Sequence, residues 1–122
     1  MNGCARTPSA ILADVDVKHS TDLGAARPLA EEVTDLIRRG LADGVIVSGG
    51  GTGLPADRRQ VRAVKHAAGG TPVFIGSGVT PETAREYARL CDGLIVGTAL
   101  KRAGSAGNAV DARRVRELMA AL

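Results

Sequence analysis

The fold is decided by one stretch near the middle of the chain, Pro72-Val73-Phe74-Ile75-Gly76-Ser77-Gly78-Val79-Thr80-Pro81-Glu82. Residues 72–75 form a short apolar run of the kind that makes a buried β-strand. Thr80 then has the features of a helix cap, Pro81 suits the first helical turn, and Glu82 lies at the positive end of the helix dipole. The stretch therefore predicts a strand, a glycine-rich turn and a helix in direct succession.

The same β-then-α unit recurs on both sides of this stretch. Further strands are predicted at residues 11–17, 44–47 and 93–96, each apolar and with little polar alternation, as in strands of a parallel sheet covered on both faces. Amphipathic helices are predicted from Leu29 to Ile37 with Gly40 as a stop, at residues 56–68, and after Asp111 as a cap. The chain thus contains four consecutive β-α units without a linker.

Two architectures accommodate such units, a doubly wound open sheet and part of a (β/α)₈ barrel. A full barrel needs about 250 residues, and the chain has 122. We predict an α/β fold in which residues 1–122 form a single domain with four parallel β-α units, the C-terminal half of a TIM-type barrel.

Composition excludes several classes of protein. The chain is 44% hydrophobic and 24% charged, with no apolar stretch near the roughly 20 residues that span a bilayer and no secretion signal at the start. We therefore expect a cytoplasmic protein without an integral membrane segment. With a net charge of +3, one Tyr and one Phe, it lacks aromatic residues for base stacking, so no nucleic-acid partner is expected. Cys4 and Cys91 form neither a disulfide framework nor a metal cluster.

Glycine and hydroxyl residues concentrate where the last two strands end. Ligands bind at the carboxyl ends of parallel strands in both candidate folds. Glycines let backbone N–H groups approach an anion closely, and helix N-termini attract it. The sequence therefore predicts a phosphate site formed by five residues: Gly76, Ser77, Gly78, Gly97 and Thr98. The alternative is that the glycines only form tight turns against neighbouring helices. Valine at Gly78 or Gly97 is expected to abolish anion binding without unfolding the chain.

A second group of candidates follows the first strand. Asp14, Asp16 and Lys18 share one strand face, and inside a barrel they would place two carboxylates and an ammonium in one cavity. Such a group suits acid–base chemistry, or the holding of a metal; a purely structural ion-pair network is the alternative. We assign these residues the catalytic role, with His19 and Thr52 as further ligand-facing residues. No metal site is assigned, and the sequence does not identify a cofactor.

The ordered set of segments resembles the BtpA/SgcQ family. The resemblance covers essentially the chain after residue 8. It rests on residues 11–19, on residues 44–49 with Thr52-Gly53, on the stretch quoted above, and on residues 93–101 with the following Val110-Asp111. It implies a TIM-like barrel of which this chain is the C-terminal half. Members of the family include a cyanobacterial factor for photosystem I biogenesis and a protein encoded alongside sugar-transport genes. One difference is Asp16, where members commonly have histidine.

These observations predict a phosphate-binding half-barrel that acts on or senses a small phosphorylated metabolite. The alternative is a non-enzymatic biogenesis or scaffold protein, or an inactive truncated fragment. We also expect a homodimer, or pairing with a missing N-terminal half, because helices on one side cannot cover all the apolar strand residues. Those residues are Val15, Val17, Val45, Val47, Val73, Ile75, Leu94 and Val96.

Overall fold

The computed structural model describes residues 9–15, 29–49 and 54–122 as alternating strands and helices. The elements are β1 (Leu12–Asp14), α1 (Leu29–Arg38), β2 (Gly44–Val47), α2 (Arg58–Ala68), β3 (Val73–Ile75), α3 (Pro81–Leu90), β4 (Gly93–Leu94) and α4 (Ala112–Ala121). Two short 3₁₀ turns, Thr98–Leu100 and Arg102–Gly104, lie between β4 and α4.

The order of the strands distinguishes the two predicted architectures. All neighbouring strands are parallel, and the sheet order is β1-β2-β3-β4. A doubly wound sheet reverses its strand order at a switch point, which places helices on both faces. A sequential order with right-handed crossovers places every helix on one face, and each helix here packs against the next. The prediction of four α/β units forming half of a barrel is confirmed.

The core lies between the sheet and this single layer of helices. Val45, Val47, Val73 and Ile75 are fully buried on the helix side of β2 and β3, and Val33 of α1 is among the helical residues buried with them. Of the eight strand residues that helices on one side were expected not to cover completely, Val15 is buried as well, Leu94 and Val96 are only partly buried, and Val17 lies outside the described residues. Because side chains alternate along a strand, the helices cover one set of β2 and β3 completely and leave the other set open.

The opposite face of the sheet is apolar and open within the described residues. Leu12 and Ile95 are 45% and 43% exposed. On the strands between them, the partly exposed Ile46 and Phe74 are in register with each other, and Leu12 is in register with Gly44. The Phe74 ring extends over both neighbouring strands. A Cβ atom at Gly44 would lie 2.9 Å from Phe74 Cε2, and one at Gly93 only 2.5 Å from Phe74 Cδ1. Glycine on each side of Phe74 is therefore what lets the ring lie flat across the sheet. We call Leu12, Ile46, Phe74 and Ile95 the open face.

The ends of several elements follow the sequence signals, with two differences. Thr80 is the N-cap of α3 and Asp111 that of α4, where the Asp111 carboxylate accepts from the Arg113 N–H at 3.0 Å. After α1, however, the left-handed position is Leu41, with φ +53°, and not Gly40. The strand predicted at 93–96 ends at Leu94, and the chain enters a 3₁₀ turn at Thr98.

Candidate functional site

A cavity of about 1390 Å³ lies at the carboxyl ends of the strands. It is lined by the residue that ends β1, by the turn after β2, by the loop from β3 into α3, and by the segment between β4 and α4. Asp14, Ser48, Gly76–Thr80 and Gly97–Ala99 are among the lining residues. All five residues of the predicted phosphate site, together with Asp14, therefore lie around one cavity. Asp16, Lys18, His19 and Thr52 lie outside the described residues.

The loop after β3 is held in place by the segment before α2. Gly78 has φ +71°, and a Cβ atom there would lie 2.3 Å from Pro55 Cα. Both the backbone conformation and the close approach therefore require glycine. The expectation that Gly78→Val affects only anion binding is wrong, because a larger side chain would push Pro55 away and disturb the fold.

The Ser77 hydroxyl has a structural task. It accepts a hydrogen bond from the Gly49 N–H at 2.7 Å and donates one to the Leu54 carbonyl at 2.8 Å. It thereby joins the loops that follow β2 and β3. With its hydroxyl engaged in this way, the group that Ser77 leaves for a ligand is its backbone N–H.

Several backbone N–H groups along the cavity have no acceptor among the described residues. Those of Ser77 and Gly78 after β3, and those of Thr98 and Ala99 after β4, make no hydrogen bond to the described part of the chain. All four residues line the cavity. Two of these N–H groups precede the N-terminus of α3, where the helix dipole adds positive potential. The arrangement supplies hydrogen-bond donors suited to the oxygens of an anion.

Gly97 differs from Gly78 in its surroundings. It has φ −130° and ψ −80°, and a Cβ atom built on it meets nothing within 4 Å. The fold therefore leaves room for a side chain at Gly97. Such a side chain would lie beside the N–H groups of Thr98 and Ala99 and would hinder a ligand from reaching them.

Three arginines that the sequence analysis did not assign to the site also line the cavity. They are Arg102, Arg113 and Arg114. The Arg114 Nη1 donates to the Ala99 carbonyl at 3.2 Å, which fixes its guanidinium next to the loop after β4. The helix cap at Asp111 was the available signal, because it locates the first turn of α4 and its Arg113-Arg114 pair at the ligand end of the sheet. Ser48, which follows β2, is a further lining residue.

A buried tyrosine anchors the segment that packs against Gly78. Tyr87 of α3 is 1% exposed, and its hydroxyl donates to the Ala56 carbonyl at 2.9 Å. Burial, the largest influence, raises the pKa of the Tyr87 phenol, so that it stays a protonated donor at neutral pH. Tyr87 thus connects α3 to residues 54–57, which in turn support the loops after β2 and β3.

Comparison with known proteins identifies the family. Residues 5–122 match the model of the BtpA family. The chain belongs to the BtpA family. It is 45% identical over 113 residues to a protein of Synechocystis sp. named photosystem I biogenesis protein BtpA. The alignment covers 93% of this chain and 39% of that protein. Uncharacterized proteins of Thermococcus kodakarensis and Caenorhabditis elegans are 40% and 34% identical, covering 93% and 90% of this chain and 43% and 39% of theirs.

The match covers only part of these BtpA relatives. The chain spans between 39% and 48% of the length of the curated relatives it matches. A segment of that size with four sequential β-α units agrees with half of a barrel. Among the described residues, none of the helices has the length and apolar character to cross a membrane.

Proposed function

We propose that the cavity binds the phosphate group of a small phosphorylated metabolite, held by backbone N–H groups after β3 and β4. The observation that carries the proposal is the set of N–H groups of Ser77, Gly78, Thr98 and Ala99, which line one cavity without an acceptor in the described chain. N–H groups at glycine-rich turns before a helix favour an anion. Arg114, fixed beside Ala99, adds positive charge on the same side.

The size and composition of the cavity favour a ligand larger than phosphate. Ligand pockets for small molecules have volumes of roughly 300–1,000 Å³, and this cavity, open on one side, has about 1390 Å³. Asp14 lies at the β1 end of the sheet, two strands from β3. In the proposed complex the phosphate lies by β3 and β4, and the rest of the metabolite extends toward Asp14. Asp16 and Lys18, which follow in the sequence, belong to the same proposal as groups at the reactive end.

A valine at Gly97 tests the phosphate site without disturbing the fold. Calorimetric titrations with inorganic phosphate and with sugar phosphates should show at least about tenfold weaker binding for Gly97→Val, a loss of about 1.4 kcal/mol. Gly107→Val is the matched control, because a Cβ atom at Gly107 also meets nothing within 4 Å and Gly107 does not line the cavity. Both variants should melt like the original chain. Equal affinities in all three proteins would refute the site.

A non-enzymatic role is the second candidate, and the name of the Synechocystis relative favours it. In this case the chain would act in the biogenesis of a protein complex, by binding a protein partner and without turning over a metabolite. Mass spectrometry of the protein purified under native conditions distinguishes the candidates. A phosphorylated compound that co-purifies with the original chain and not with Gly97→Val supports the first candidate, and a protein partner retained equally by both supports the second.

A further inference from the structure

Two arginines lie close together on the wall of the cavity that follows β4. Arg102 begins the second 3₁₀ turn, Arg114 lies in the first turn of α4, and both line the cavity. A Cβ atom built on Gly104 would lie 3.8 Å from Arg114 Nη1, and the same nitrogen donates to the Ala99 carbonyl at 3.2 Å. The Arg114 guanidinium therefore lies beside both the turn that carries Arg102 and the turn that presents the N–H groups after β4.

A hydrogen-bonded loop fixes the backbone of Arg102. The Arg102 N–H donates to the Ala109 carbonyl at 2.8 Å, and the Arg102 carbonyl accepts from Asn108 Nδ2 at 2.8 Å. The next residue, Ala103, has a left-handed φ of +56°. A non-glycine residue keeps this strained conformation only where the structure around it holds it, which is common at functional sites. The loop thus holds the base of Arg102 firmly, while its guanidinium makes no hydrogen bond or ion pair within the described residues.

Carboxylates around the same cavity make these two arginines necessary for binding a highly charged group. Four acidic residues are among those that line it: Asp14, Glu82, Asp111 and Glu117. Backbone N–H groups and a helix N-terminus supply only partial positive charge, about half an elementary charge for one helix. A doubly charged ligand group next to these carboxylates therefore needs full positive charges close by. Arg102 and Arg114 supply them beside the N–H groups after β4.

We propose that Arg102, together with Arg114, makes the cavity specific for a phosphate monoester bound as the dianion. The proposal rests on the phosphate site proposed above and names the class of ligand that this site takes. A phosphate monoester has three terminal oxygens and nearly two negative charges at neutral pH. The three oxygens match three groups of donors, which are the N–H groups after β3, those after β4, and the guanidinium groups, whose geometry suits phosphate. A phosphodiester has two terminal oxygens and one charge, and it would leave Arg102 without an acceptor.

Calorimetric titrations with methyl phosphate and dimethyl phosphate, a monoester and a diester of similar size, test the specificity. The original chain should bind methyl phosphate at least about tenfold more tightly than dimethyl phosphate, because a hydrogen bond to a charged group is lost with the diester. Arg102→Gln should weaken the binding of methyl phosphate by a similar factor and leave that of dimethyl phosphate nearly unchanged. Arg116→Gln is the matched control, because it removes the same charge from an exposed position on α4 that does not line the cavity. It should bind both compounds like the original chain.

The outcomes separate this proposal from the phosphate site itself. Equal affinities of the original chain for the two compounds, or an equal loss of affinity for both in Arg102→Gln, would overturn the monoester assignment and leave the phosphate site standing. Absence of binding of either compound to the original chain would overturn both. Arg102→Lys keeps the positive charge and should lose less affinity for methyl phosphate than Arg102→Gln. The same loss in both variants would show that the substitution acts through the loop and not through the charge, and would overturn the role of Arg102.

Discussion

Gly78 and Gly97 occupy equivalent places after neighbouring strands, and their surroundings give them different roles. Gly78 has a positive φ and lies against Pro55, whereas Gly97 faces open space. The sequence showed both glycines and predicted one role for them. It could not show Pro55 approaching Gly78, because that contact joins residues 23 positions apart through the packing of two loops. The hydrogen bonds of the Ser77 hydroxyl escaped the sequence analysis for the same reason.

Leu41 is a second residue whose conformation the sequence did not reveal. It has φ +53° and is 71% exposed, so that the strain of a left-handed residue is not offset by burial of its side chain. We expect Leu41→Gly to raise the free energy of unfolding by about 0.5–1 kcal/mol. Urea denaturation followed by circular dichroism measures the change. Leu41→Ala is the control, because it shortens the exposed side chain and keeps the Cβ atom that causes the strain. A gain of the same size in both variants would rule out this explanation.

At the scale of elements, capping residues and apolar spacing predicted the helices well. Thr80 and Asp111 begin α3 and α4 as their residue types indicate. The ends of the strands were harder to predict. An apolar run such as residues 93–96 continues beyond Leu94, where β4 stops pairing with β3. The Ile95 N–H still bonds to the Ile75 carbonyl, but the chain then turns toward α4. The arginines of the cavity were missed because their place depends on where α4 packs.

The hydrogen bond from Tyr87 to Ala56 joins α3 to the segment before α2, and we expect it to stabilise the fold. Tyr87→Phe removes the hydroxyl that donates to the Ala56 carbonyl and leaves that carbonyl unpaired in a buried position. We expect a loss of about 1–2 kcal/mol in the free energy of unfolding, measured by urea denaturation. Because residues 54–57 support Gly78, binding of inorganic phosphate should weaken as well. Tyr87→Phe with unchanged stability would show that water replaces the hydroxyl and that the anchor is dispensable.

At the scale of the whole molecule, the sequence predicted the class of fold but not which strand residues face outward. Apolar residues occupy both sides of β2 and β3, so no polar alternation marks the helix side. Only the sheet order, with every helix on one side, shows that Val45, Val47, Val73 and Ile75 are covered while the open face is not. The same geometry gathers the ends of four strands around one cavity, as a half-barrel must.

Amide chemical shifts measured during a titration with phosphate test the central claim, that backbone N–H groups after β3 and β4 bind an anion. On the ¹⁵N-labelled chain, inorganic phosphate should cause saturable shifts at Ser77, Gly78, Thr98 and Ala99. Gly69 and Gly70, which precede β3 at the amino ends of the strands, should not respond. Shifts that do not saturate at the four amides, or that are as large at Gly69 and Gly70, would contradict a phosphate site at this end of the half-barrel.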